Sequence, residues 1–316
     1  MINFRFHVVS IVAVFLALAL GVVMGSTVID RAIVASLRSR IDRVEANAVA
    51  QRAENRALRG ELEARVRYVD ASAAFAVTGR LTGTALAIVA EPAVGDAALL
   101  SLVDLGRRSG ATAGGILRIT DAWYDDARAD ALREAAGVDG RGPRAVRDAA
   151  WGALAERLAS GVAANPQADL LGRLADAGFL EYRSVDGAPT VAPAFPEGWP
   201  GAGARVLYAT HTLPGPTGPQ AQRTAAHAEA FAAAGLPTVV ADEHVDADGV
   251  PPRGAILANA RDDEELRVRI STVDDLELVE GRVATLLAAA DLGRGVDGRF
   301  GYGAGVSGPV PEWWAP

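Results

Sequence analysis

From Val8 to Gly25 the chain runs eighteen residues without a charge, and Ser10 is the only strongly polar side chain in the stretch. A soluble helix of this length keeps a polar face, and this run has none. Residues 8–29 would span roughly 33 Å as a helix, enough for a hydrocarbon core of about 30 Å. Ser26 and Thr27 are tolerable there if their hydroxyls bond carbonyls one turn back. The small-x-small triplet Ala17-Leu18-Ala19 lies inside the run, and cleavage there would leave the apolar "LGVVMG" as a new terminus. A signal peptide places its cleavage site after the apolar core. Residues 1–29 therefore read as an anchor that stays. Gly21 and Gly25 have the GxxxG spacing that lets two membrane helices approach closely.

The next segment, to about Asp70, has no proline and is rich in Ala, Arg, Glu and Leu. With Ile41 at heptad position a, the seam carries Val34, Leu37, Ile41, Val44, Ala48, Gln51, Asn55, Leu58, Leu62, Arg65 and Val69. A single Asn at position a fixes register and favours two strands, and Asn55 sits there. Gln51, Gly60 and Arg65 weaken the pattern. The prediction is a short coiled-coil stalk over residues 30–75, pairing with a second copy or a partner coil. A helix packed on its own globular domain is the alternative.

From about residue 80 short apolar runs alternate with amphipathic stretches. Strands are predicted at 84–90, 114–120, 179–183, 205–210, 237–243 and 254–259, and helices at 96–109, 127–136, 144–160, 168–177, 219–234 and 275–292. Residues 186–204, rich in Pro and Gly, read as a long loop. Near-continuous apolar strands separated by helices predict a mainly parallel, Rossmann-like α/β domain over 76–316, covered on both faces. A series of ten-residue alternating strands, as a transmembrane β-barrel requires, is not seen.

Composition narrows the function. The net charge of −8 argues against nucleic acid as a partner. There is no cysteine, so disulfides, thiolate metal sites and thiol catalysis are excluded. Methionine occurs only at Met1 and Met24, so there is no thioether track for copper. Arg5 and His7 before the anchor face Arg31, Arg38, Arg40 and Arg43 after it, and this balance leaves the sidedness open.

Candidate chemistry is sparse. "GYGAGVSG" (301–308) has a GxGxxG-like spacing but does not lead from a strand into a helix, so the reason for a phosphate cradle is missing. Hydrolase elbows and HExxH are absent, and the chain reads as a non-enzyme. In "STVDD", Ser271 and Thr272 with Asp274 and Asp275 read as a helix start, with Gly281 allowing a close approach. His211 and His244 follow two strands. If these are parallel neighbours, both imidazoles reach one sheet edge near Asp242, a mixed imidazole–carboxylate set for Cu(II) or Zn(II). His227 reads as a surface or boundary residue.

The opening "FRFHVVSIVAVFLALALGVVMGS", the coil "LRSRIDRVEANAVAQRAENRALRGELE" and above all "ISTVDDLELVEGRVATLLAAADL" with "GRFGYG" resemble the mycobacterial copper transport protein B family of actinobacteria. The resemblance covers the whole chain in order. It implies a single-pass envelope protein with a large extracytoplasmic domain, at the plasma membrane or in the outer envelope, with a role in copper efflux or resistance. It also implies relatives tied to cell division and envelope assembly. Copper is the one cofactor this reading admits, yet the residues that suit soft Cu(I) are missing. One helix cannot line a pore, so a channel would need oligomerisation through the anchor and coil.

Overall fold

A computed structural model describes residues 4–161, 169–184, 195, 199–201 and 203–312, with the side chains of 26–33 outside the description. Most of the loop expected at 186–204 and the hydroxyls of Ser26 and Thr27 therefore fall outside it. The chain divides into two compact units, 1–66 and 67–316.

The first unit is helical throughout its described length, within helix α1 (Phe4–Val77). Phe4–Gly25 forms a 22-residue apolar stretch, none of it buried within the chain. A Cβ placed on Gly21 or Gly25 would meet nothing within 4 Å. Further along, Leu37, Ile41, Val44, Leu58 and Leu62 are half or more exposed, from 50% at Ile41 to 67% at Val44. The apolar seam is therefore present as a helix face and is uncovered.

The second unit is a seven-stranded sheet in the order β3-β2-β1-β4-β5-β6-β7. Its strands are β1 (Ala85–Ala90), β2 (Thr112–Ile119), β3 (Leu180–Ser184), β4 (Arg205–His211), β5 (Thr238–Glu243), β6 (Ile270–Val273) and β7 (Arg299–Phe300). All neighbours pair in parallel except β2 with β3, where the edge strand runs antiparallel. The chain winds outward from β1 in one direction and from β4 in the other. Between these two lies the point where connections diverge, the usual place for ligands in such sheets.

Alternation along each strand feeds two cores. Ala87 and Val89 of β1, Val206 and Tyr208 of β4 and Val240 of β5 face one layer. That layer holds α3 (Ala129–Ala136), α4 (Pro143–Ser160), α5 (Leu170–Asp176), α6 (Thr217–Ala233) and α7 (Ala258–Asp262). Leu86, Ile88, Leu207, Ala209, Val239 and Ala241 face the other, built from α2 (Asp96–Arg108), α8 (Val279–Leu292) and the last turns of α1, where Ala73 and Val77 are buried. Period-two burial on both sides is why these strands read as unbroken apolar runs.

Two expected elements differ. Residues 254–259 do not add a strand: Gly254 is left-handed at φ 78°, and a 3₁₀ turn (Ala255–Leu257) leads directly into α7. A left-handed residue breaks an extended run, and the apolar Ile256 and Leu257 are buried by the turn instead. The helix expected from 275 begins at Val279, with Leu278 at its N-cap, because Ser271 and Thr272 lie in β6.

Trp151 of α4 lies at the centre of the first core. Its ring is 5.5 Å from Trp123, 5.8 Å from Tyr208, 5.7 Å from Phe231 and 4.0 Å from His227. Truncating a buried tryptophan removes both its transfer energy and its contacts. Trp151→Ala is expected to lower unfolding stability by about 3–5 kcal/mol. Urea denaturation followed by near-ultraviolet circular dichroism measures this, and a loss below about 1 kcal/mol contradicts the packing described.

Candidate functional site at the carboxyl edge of the sheet

The divergence point between β1 and β4 is closed by the chain's own side chains. Glu91 follows β1 and is buried. Its carboxylate accepts from the Tyr124 hydroxyl at 2.6 Å and from the Tyr208 hydroxyl at 2.5 Å. His227 Nδ1 lies 3.2 Å from the same carboxylate and 2.9 Å from the Tyr208 oxygen. Burial pushes the Glu91 carboxyl up, but the bond and attraction from His227, with the two hydroxyls, outweigh it and hold it below its ordinary value. Burial and the adjacent Glu91 charge drive both tyrosines well above the usual phenol range. The cluster is therefore a carboxylate held by three donors, with both phenols kept neutral.

His227 was expected near the surface and is buried instead. Its position explains this: Gln220, Thr224, His227, Ala228 and Phe231 make one buried stripe on α6. The alanines around it hide that stripe in the sequence.

On the opposite face, the β4–β5 register sets His211 beside Glu243. His211 Nδ1 lies 3.0 Å from Glu243 Oε2, which also accepts the Gly95 N–H at 2.7 Å. Burial raises the Glu243 carboxyl, and the His211 bond, the Gly95 amide and the Arg118 charge bring it below its ordinary value. Gly95 is the N-cap of α2, so the helix end where a dinucleotide fold would hold phosphate carries this carboxylate. Arg118 closes the same loop, donating to the Pro92 and Val94 carbonyls at 3.0 and 2.9 Å and to Asp96 at 2.6 Å.

The three residues expected to hold a metal each take a different partner. Strand alternation puts Asp242 on the face opposite Glu243 and His211. Its Oδ2 accepts from Thr212 at 2.6 Å, while Oδ1 has no partner. Burial, reinforced by Glu277 and Asp274, pushes its carboxyl well above the ordinary range. His244 Nε2 is 2.9 Å from Asp246, and its backbone N–H donates to Glu277. Among the described residues no three His, Asp or Glu side chains gather where they could share a metal ion.

The "STVDD" stretch forms the remaining part of this edge. Ser271 Oγ accepts the Gly298 N–H at 3.1 Å, and Thr272 Oγ1 accepts from Arg261 Nε at 2.9 Å. Asp274 is buried against Arg261 at 2.9 Å and also accepts the Tyr302 and Gly303 amides at 2.8 and 3.2 Å. A Cβ on Gly301, at φ 118°, would overlap the Asp274 carboxylate. The glycines of "GYGAGVSG" thus wrap a carboxylate of the same chain. A Cβ at Gly281 would overlap the Asp275 carbonyl oxygen, in the turn that leads into α8 rather than on another element. The sequence had flagged these residues as a helix start; their work is to seat a strand end against a buried ion pair. Arg261, Glu91, Tyr124 and Tyr208 escaped notice because no local motif marks them. Only the tertiary fold brings Glu91 to Tyr124 and Tyr208, and Arg261 to Asp274.

The chain matches the family described as "Copper transport outer membrane protein, MctB" over residues 1–311. Proteins named copper transporter MctB from Mycobacterium tuberculosis and Mycobacterium bovis are 28% identical to it, over 97% of this chain and 98% of theirs. The Mycobacterium leprae protein of the same name is 26% identical over the same share of both chains.

Asp275 is buried with both carboxylate oxygens unpartnered. Burial first, then the Asp274 and Glu277 charges, push it from 3.8 up to about 7. The folded state then holds this proton where the unfolded chain has lost it, so the residue removes stability as pH rises from about 4 to about 7. Asp275→Asn is expected to flatten that part of the stability–pH curve and to be the more stable protein above pH of about 7. Denaturation midpoints of both proteins across this range provide the check; parallel curves would contradict it.

Proposed function

The chain belongs to the MctB copper transport family, and on that premise we propose that it is a single-pass envelope protein supporting copper efflux as a non-enzymatic, self-associated assembly. Residues 4–25 cross the membrane and the α/β unit lies on the extracytoplasmic side. The observation that carries this reading is the uncovered seam of α1, where Leu37, Ile41, Val44, Leu58 and Leu62 stand exposed in one heptad register with Asn55. Apolar residues repeated on one helix face are stable in water when a second helix covers them. The residues suited to soft copper are absent from the α/β unit: there is no cysteine, and no methionine after Met24. Copper handling then rests on what the anchored helices assemble, with His211, His244 and Asp242 offering at most separate, weak contacts. A scaffold for cell division or envelope assembly, without copper, would use the same seam.

Copper tolerance separates the two readings. Replacing Ile41 and Leu58 together by Asp is expected to weaken self-association of the full chain in detergent by at least about tenfold, about 1.4 kcal/mol. A deletion strain complemented with this variant should remain copper-sensitive while growing normally without copper. A reporter fused after residue 312 should be active only outside the plasma membrane. Full copper tolerance with a dissociated seam would contradict the proposal, and a septation defect without copper sensitivity would favour the scaffold.

A further inference from the structure

A cavity of about 350 Å³ opens between the first two turns of α4 and those of α6, and its inner end is formed by Tyr124 and His227. In a chain of net charge −8 its lining is basic: Arg144, Arg147 and Arg223 against the single carboxylate of Asp148. Arg223 is tied to no carboxylate among the described residues, and its guanidinium rests 5.3 Å above the Tyr124 ring. Arg147 is held at 2.6 Å by Asp126, an exposed side chain that uses only part of its five-donor fork. Arg144 stands 3.9 Å from Asp148, beyond hydrogen-bond distance. At the inner end, His227 Nδ1 is engaged with Tyr208 and Glu91, leaving Nε2 as the ring nitrogen on the cavity side.

We infer that this cleft binds a small phosphorylated molecule, its phosphate held by Arg144, Arg147 and Arg223 and the rest lying along Tyr124, Pro219 and Ala226. The volume suits a ligand of that size. A phosphate monoester brings up to two negative charges and three accepting oxygens to three guanidinium groups, where a carboxylate brings one charge and two oxygens. The equally large cavity at the opposite edge of the sheet also carries arginines, but Arg205 there bonds the Ala289 carbonyl at 2.6 Å, Arg294 pairs with Asp291 at 2.5 Å, and no aromatic ring lines it. The site is distinct from the copper reading and needs no metal.

The test is calorimetric titration of the full-length protein in detergent with inorganic phosphate, glucose 6-phosphate and, as a monoanion, acetate. Arg223→Gln removes the guanidinium without breaking an ion pair. Arg108→Gln, on the exposed face of α2, controls for general charge. The expected result is a dissociation constant below about 1 mM for at least one phosphate probe, raised about tenfold or more by Arg223→Gln and unchanged by Arg108→Gln. No binding of either phosphate probe up to about 10 mM would overturn the inference. Equal affinity in Arg223→Gln, equal weakening by Arg108→Gln, or acetate binding as tightly as phosphate would overturn it too.

Discussion

Glu91, Asp242, Glu243, Asp274 and Asp275 are all buried at the carboxyl edge of a sheet whose two faces are fully covered, and the domain depends on making that burial tolerable. A carboxylate removed from water is costly unless paired or neutralised. The five are handled in different ways. Glu91 is held by Tyr124, Tyr208 and His227, and Glu243 by His211 and the amino end of α2. Asp274 is paired with Arg261 and accepts the Tyr302 and Gly303 amides. Asp242 and Asp275, which lack a cation at hydrogen-bond distance, are instead pushed upward by burial and by neighbouring carboxylates, which favours their neutral forms. These arrangements tie loops distant in sequence to one another. The β1 loop is fixed by Glu243 of β5, the turn after β5 by Glu277 and the glycine-rich tail by Asp274, the last two from the turn after β6.

This explains how far the sequence could be read. Strands β1, β2, β4 and β5 were legible because a strand buried on both faces is apolar at every position. The N-terminal apolar helix was legible for the same kind of reason, as a run with no polar face. Strand order and register were not, because pairing is a long-range choice that leaves no local mark. From the residues alone His211, His244 and Asp242 could be placed at one edge, but not on which side of the sheet. Alternation then sends Asp242 to one face and Glu243, with His211, to the other. "STVDD" misled because hydroxyl and carboxylate residues before an apolar stripe serve helix caps and buried strand ends equally well. His227 was hidden by its alanine neighbours.

Family membership supplies copper, and the residues supply constraints on how copper could be met. The α/β unit spends its charged edge on itself, and its histidines are each paired with a carboxylate already: His211 with Glu243, His227 with Glu91 and His244 with Asp246. Most of the exposed large apolar side chains lie on α1, both in the membrane-length stretch and along the heptad seam. The physical drive toward association is therefore concentrated on that helix. These two facts are what support the proposal that copper handling rests on the assembled helix rather than on a site in the domain.

Calorimetric titration of Cu(I) and Cu(II) into the full-length protein tests that account most directly. The account predicts no stoichiometric site tighter than about 1 μM, roughly 8 kcal/mol, for either ion. A tighter site abolished by His211→Ala or His244→Ala would contradict it and make copper binding a direct property of the α/β unit.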